Sequence, residues 1–234
     1  MTRRSKQSLP RDNTWQSAPY ADAKLQIKVW LTGISPMVWR RVLVPASFTL
    51  RELHGVFQIA MGWDGIHHLF RLRAARYGSL ELSAASPDVA LAALQLRKGA
   101  RFVYEYDLNV PWRHEVRVEH RMPAADMTYP ACTGGSGACP PEDCGGPASF
   151  MAGRDDLLSL EAMDDLETMA GILGEVAQAR RSDLLDDDET RWRLERAVER
   201  SKAREQAQGR PFSRRQVNAR LRQGDHLQLM HQQW

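Results

Sequence analysis

Residues 101–122, RFVYEYDLNVPWRHEVRVEHRM, alternate in a way that few folds can accommodate. Phe102, Tyr104, Tyr106 and Leu108 fall on one side of the first half. Trp112, His114, Val116, Val118 and His120 fall on one side of the second, with Arg113, Glu115, Arg117, Glu119 and Arg121 opposite. A period of two marks half-buried strands, because successive Cβ atoms point to opposite faces of a sheet. Joined by Asn109–Pro111, the two runs predict a long antiparallel hairpin with one wet and one dry face. The rest of the chain must cover that dry face.

Upstream, KLQIKVWLTG puts Leu25, Ile27, Val29 and Leu31 opposite Gln26, Lys28, Trp30 and Thr32, which predicts another half-buried strand. Pro36 bends the chain, and Val38–Val44 predict a second strand closed by Pro45. Thr49 and Glu52 have the T-x-x-E spacing of a capping box, which satisfies orphan amides at a helix start. Leu50, Leu53, Phe57, Ala60 and Met61 share one face of that helix, and Gly62 stops it. Residues 67–77 read as a strand and residues 87–94 as a short helix begun near Pro87. Residues 155–179 and 188–207 carry helical patterns, and Ser213 with Gln216 starts a last helix. The expected class is α+β: an antiparallel sheet, a helix packed after the second strand, the long hairpin, and helical C-terminal additions. The expected organisation is a disordered arm over 1–24, a core over 25–150 with a Cys/Gly/Pro loop at 129–147, and a helical region over 151–234 ending in a basic tail.

An apolar fraction of 43% over 234 residues suits a domain that buries a real core. No run approaches the ~18 apolar residues of a membrane helix. The start has no apolar signal region, and three cysteines without an export signal point to a reducing cytoplasm. The net charge of +3 is unevenly spread. Residues 151–200 hold about seven more acidic than basic residues, and residues 201–234 about five more basic than acidic.

All three cysteines fall in YPACTGGSGACPPEDCGGP, residues 129–147. Cys132, Cys139 and Cys144 are spaced C-x6-C-x4-C, without the C-x2-C pairs of zinc ribbons. A zinc site would need a fourth ligand, for which His114 or His120 is the nearest choice. The competing reading is a stiff loop: glycines allow unusual backbone angles, Pro140 and Pro141 fix φ, and Glu142 and Asp143 cap amides or pair with arginines. That structural reading is the stronger, so no cofactor is expected and zinc is kept as the alternative.

Other chemistry is scarce. No phosphate-binding glycine loop, H-E-x-x-H or G-x-S-x-G occurs. Ser5, Ser8 and Ser17 lie in the polar arm and the last tyrosine is Tyr129, so neither a serine nor a tyrosine recombinase has its nucleophile in place. Trp30, Trp39, Trp63 and Trp112 sit near apolar positions and read first as core or boundary residues. The runner-up is a groove for a peptide or small ligand between the first helix and the hairpin, lined by Trp63, His68, Tyr106, Asp107, Trp112 and His114. Arg214, Arg215, Arg220 and Arg222 could contact DNA as a weak electrostatic patch, or face water while Phe212, Val217 and Leu221 dock the helix.

Four stretches in order, ISPMVWRRVLVPASFTLRELHGVFQIAMGW, YEYDLNVPWRHEVRVE, ACPPEDCGG and FSRRQVNARL, resemble the landmarks of the plasmid pRiA4b Orf-3-like family over roughly residues 25–222. The resemblance implies a compact α+β domain of plasmids, transposons and chromosomes, including mobile-element passengers labelled resolvase-like, with no firm biochemical activity. It also implies acidic residues where Arg214 and Arg215 stand. Two departures matter. Val110 replaces the family's second hairpin acid after Asp107, and Ile66-His67-His68 replaces a His-Leu-His ahead of Phe70. The resulting expectation is a non-enzymatic binding or accessory module of mobile-element origin with a protein or peptide partner. A DNA-binding accessory protein of transposition or recombination and a zinc metalloprotein are the alternatives.

Overall fold

The computed structural model describes residues 22–65, 67–79, 83–123, 129–155, 159–178 and 180–231. Among them, seven strands form one antiparallel sheet: β1 (Ala23–Leu31), β2 (Trp39–Pro45), β3 (His68–Leu72), β4 (Ala75–Gly78), β5 (Arg101–Tyr106), β6 (Trp112–Pro123) and β7 (Ala131–Ser136). Their order is β4-β3-β5-β6-β1-β2-β7. The helices are α1 (Leu50–Met61), α2 (Gly146–Asp155), α3 (Leu160–Gln178), α4 (Asp188–Ala207), α5 (Arg214–Gln223) and α6 (Asp225–His231). The α+β class read from the sequence is what the chain adopts.

The long hairpin forms in the expected register, with Tyr104 opposite His114 and Tyr106 opposite Trp112. Ile27, Val29, Val42, Val44, Val116 and Val118 supply the dry face and are fully buried. Each such side chain contributes roughly 1.5–3 kcal/mol when removed from water. Helix α1 covers this face. Thr49 and Glu52 close both halves of the capping box, and Gly62 ends the helix in the left-handed conformation at φ 94°. Nearly every residue of α1 is buried because α6 covers its far side. A Cβ at Gly55 would lie 2.2 Å from the His226 carbonyl oxygen, so only glycine permits that approach.

The chain departs from the sequence reading at several points. Residues 67–77 form two strands, since a two-residue turn at Arg73 (φ 51°) folds β4 back on β3. Residues 87–94 are not helical. Their carbonyls are used instead to cap α1, with Leu50 N–H donating to Val89 O and Arg51 N–H to Pro87 O. Arg51 fixes the segment through a two-pronged bond to Asp88, at 2.6 and 2.8 Å. About a third of the expected Cys/Gly/Pro loop is strand β7, paired along β2. The arm expected over 1–24 lies outside the described residues up to 21, and β1 already begins at Ala23. The C-terminal helices divide: α5 and α6 return to α1, whereas α3 and α4 pack on each other. That pair is pinned by Asp165, whose carboxylate meets Arg200 and Arg204.

One inward position carries a charge. Arg40 follows the buried phase of β2 and is 1% exposed. Its guanidinium donates to the carbonyls of Ala60 and Trp39 (2.8 Å each), Ser136 (2.8 Å) and Gly137 (3.1 Å), and lies 4.3 Å from the centre of the Phe212 ring. Four carbonyl dipoles, one at the negative end of α1, replace its lost water. Arg40 thereby ties α1, β2, β7 and the segment before α5 together.

Candidate functional site

After Gly62 the chain turns through Trp63, Asp64 and Gly65 toward the proline segment. The Trp63 indole N–H donates to Pro140 O at 2.8 Å. Glu142 Oε1 then accepts from the amides of Asp64 (2.8 Å) and Gly65 (3.3 Å) and from the Tyr106 hydroxyl. Gly65 N–H also reaches the Tyr106 oxygen at 2.7 Å, and a Cβ at this position would lie 2.1 Å from it. Burial and the neighbouring carboxylate of Glu142 push the Tyr106 pKa upward, so it remains a donor.

Behind this junction runs a buried polar chain. Gln58 Nε2 donates to Gly65 O (2.6 Å) and faces His54 Nε2 at 3.2 Å, while His54 Nδ1 lies 2.8 Å from the Tyr104 hydroxyl. An amide nitrogen can only donate, so His54 Nε2 accepts and Nδ1 carries the proton. His54 stacks on His68 with ring centres 3.8 Å apart. Burial, then the charges of His68 and Arg51, hold the His54 pKa well below the ordinary imidazole value. This imidazole is neutral, engaged at both nitrogens and without exposure.

Five of the six residues expected to line a groove are brought together, but inside the core. Trp63 stacks on Tyr106 at 4.8 Å and meets Trp112 at 5.6 Å and His114 at 5.4 Å. His68 is buried against His54. Only the edges of this packed cluster meet open space among the described residues, Trp63 along one cleft and Tyr106 beside a smaller hollow. Of the six, Asp107 alone is half-buried rather than buried, in the left-handed region at φ 52°.

The open space lies beside that cluster. A cleft of about 670 Å³ runs from the end of α1 along Pro140–Asp143 to the connection between α4 and α5. Among the described residues, Asp64, Glu142, Asp143 and Glu205 line it, against the single basic residue Arg210. A smaller hollow of about 380 Å³ continues past Glu142 to His67 and Asp107. Cys139 pairs backbone to backbone with Arg210, and a Cβ on Gly209 would lie 1.9 Å from the Cys139 carbonyl oxygen. Glycine at 209 is what allows the two walls to join.

The family model described as plasmid pRiA4b ORF-3-like protein matches residues 23–177. This chain belongs to that family. An uncharacterized protein, y4hQ, of Sinorhizobium fredii is 35% identical over 134 residues, covering 54% of this chain and 69% of its own length. The crystal structure of MM3350, a protein of unknown function from Methanosarcina mazei Go1, aligns with a TM-score of 0.53 at 29% identity. It covers 59% of this chain and 83% of its own. In this pRiA4b ORF-3-like chain the cleft wall at residues 205–211 lies beyond the matched range.

The thiols are dispersed rather than gathered. Cys132 lies buried in β7, Cys139 is 3% exposed under the proline segment, and Cys144 is half-buried. Burial raises all three, Cys139 to about 12, so they are neutral thiols. His114 is fully buried, bonded at Nδ1 to Tyr104 O (3.2 Å) and held at about 4 by burial. His120 faces away. A bulge against Gln26/Ile27 makes Glu119 the extra residue, so His120 leaves the dry face that the alternation assigned it. Among the described residues no group of three His, Cys, Asp or Glu side chains is placed to hold a metal ion.

The four arginines proposed for nucleic acid lie on α5. Val217 and Leu221 are buried against the core, Arg220 binds Asp225 at 2.9 Å, and Arg222 donates to Asn218 O at 3.1 Å. Arg214 and Arg215 are exposed. Sequence reasoning missed Arg40, His54 and Gln58. Only Arg40 left a signal, a charge in the inward phase of a strand.

Proposed function

We propose that this protein is a non-enzymatic binding module of mobile-element origin, whose cleft receives a cationic, partly apolar segment of a partner protein. One contrast carries this reading. The buried imidazoles and the Glu142 oxygen that holds Tyr106 are consumed by the fold, while the open walls carry an excess of carboxylates over a ledge of Trp63, Pro140 and Pro141. Such a ledge receives aliphatic stems, and the carboxylates receive guanidinium or ammonium heads. The family's plasmid description supports the mobile-element origin.

A fluorescein-labelled peptide of alternating arginine and leucine tests it by anisotropy, with glutamate in place of arginine as the control. The arginine peptide should bind and the glutamate peptide should not. Asp143→Lys with Glu205→Lys, both at exposed positions, should weaken binding at least tenfold without changing Tm. Unchanged binding in that variant contradicts the reading.

A further inference from the structure

The sheet has a second face. Helices α1, α5 and α6 lie on the side to which Arg40, Cys132 and Tyr104 point. The other side carries Lys28, Trp30, Trp39, Arg41, Val103, Arg101, Glu115 and Arg117, all exposed or half-buried. Register decides what they form. Arg101 stands opposite Arg117, Arg117 opposite Lys28, and Lys28 opposite Arg41. Four basic residues thus occupy one straight row across β5, β6, β1 and β2. At ~4.8 Å per strand the row spans ~14 Å.

Like charges set directly opposite are unfavourable in a sheet. Here one carboxylate relieves the row at Arg41, and the others nearby are taken by arginines outside it. Glu119 binds Arg41 (2.5 Å), Glu105 binds Arg71 (2.8 Å) and Glu115 lies 3.9 Å from Arg113. Among the described residues Arg101 and Arg117 meet no carboxylate. Lys28 is held between indoles, 4.9 Å from Trp39 and 5.7 Å from Trp30. The next row along the strands, ~7 Å away, holds Trp30 directly opposite Trp39. Gly134 has no side chain, and the Trp39 ring spreads over β7 within 3.5 Å of the place a Cβ would take. A row of fixed cations beside a row of half-open aromatic rings offers sites for backbone phosphates and for stacked bases.

We infer that this open sheet face binds single-stranded nucleic acid, with Lys28, Arg101 and Arg117 along the phosphates and Trp30 under a base. The inference is independent of the acidic cleft, which lies toward the helical side, and of the arginines of α5. A duplex hides its base faces, so the single strand is the preferred form.

Fluorescein-labelled dT12 and rU12 test it by anisotropy. With three phosphates engaged, affinity should fall about 20-fold between 50 and 200 mM salt. Arg101→Glu with Arg117→Glu should lower affinity at least tenfold. Its Tm should hold or rise, because the change breaks up the like-charge row. Trp30→Ala should weaken dT12 binding while leaving retention on heparin unchanged, which separates stacking from charge. The inference is overturned by dT12 affinity within twofold of wild type in the Arg101/Arg117 variant. It is equally overturned if the loss appears only in Arg214→Glu/Arg215→Glu, or if duplex DNA, polyglutamate or phosphatidylserine vesicles bind as well as dT12.

Discussion

Asn218 pairs with Cys132 as a neighbouring strand would. Its Oδ1 accepts the Cys132 amide at 2.7 Å and its Nδ2 donates to the Cys132 carbonyl at 2.9 Å. Strand β7 is the sheet edge, where unpaired backbone groups invite association. One side chain of α5 closes that edge where β7 bulges at Thr133 against Arg41 and Val42 of β2. Asn218→Ala leaves both backbone groups without this partner and should destabilise the fold by ~1–3 kcal/mol. Urea denaturation measures this, and Asn218→Asp, which keeps the acceptor only, should fall between.

The buried histidines set an acid limit. His114 is held at about 4 by burial, and His54 is also depressed, so both bind fewer protons in the fold than in the unfolded chain. Their contribution to stability is therefore complete above pH 6.5 and is lost as pH falls from 6.5 toward 4. The slope should approach ~1.4 kcal/mol per pH unit for each histidine. Denaturation at pH 7.5, 6 and 5 checks it, and His114→Leu should remove one histidine's share. Asp88, held at about 2 by Arg51, and Asp165, held at about 2 by Arg200, act only below pH 3.8.

Thiol reactivity should follow burial. Cys144 is half-buried and should react first with a disulfide reagent at pH 8, while Cys132 and Cys139 should react only on unfolding. Mass spectrometry of partly labelled protein resolves the order. Early labelling of Cys139 would show that the proline segment lifts from Trp63.

Asp165→Asn tests the α3–α4 pair. The 2% exposed carboxylate meets Arg204 at 2.6 Å and Arg200 Nε at 3.0 Å. Hydrogen exchange should rise across residues 160–178 and 188–207 and stay unchanged in β1, β5 and β6. Loss of protection throughout would show that the helical pair supports the sheet.

Where neighbours along the chain decide structure, the sequence was legible. Alternation located the hairpin, and Thr49 with Glu52 located α1, since both signals arise within a few residues. The failures are tertiary. Residues 87–94 have helical spacing but surrender their carbonyls to the start of α1. His120 keeps the alternation of Val116 and Val118 on paper, and a bulge opposite β1 turns it outward. Gly134, Gly135 and Ser136 lack strand-forming side chains, yet β2 needs an edge partner and takes it. Half the site was readable as residue types without their positions: Trp63, Tyr106 and Trp112 were recognised as apolar neighbours, but core and groove share one composition. The basic row was invisible because only strand register aligns Arg101, Arg117, Lys28 and Arg41.

On the proposed reading, the junction of Glu142, Tyr106 and Gly65 is scaffold for an acidic cleft that binds a cationic segment. Amide chemical shifts of labelled protein, titrated with the arginine–leucine peptide, test it most directly. Shifts are expected at Gly62, Asp64, Gly65, Gly209 and Arg210, with the amides of β1 and β6 unmoved. Saturating peptide that leaves those five amides in place, or moves the sheet instead, would contradict it.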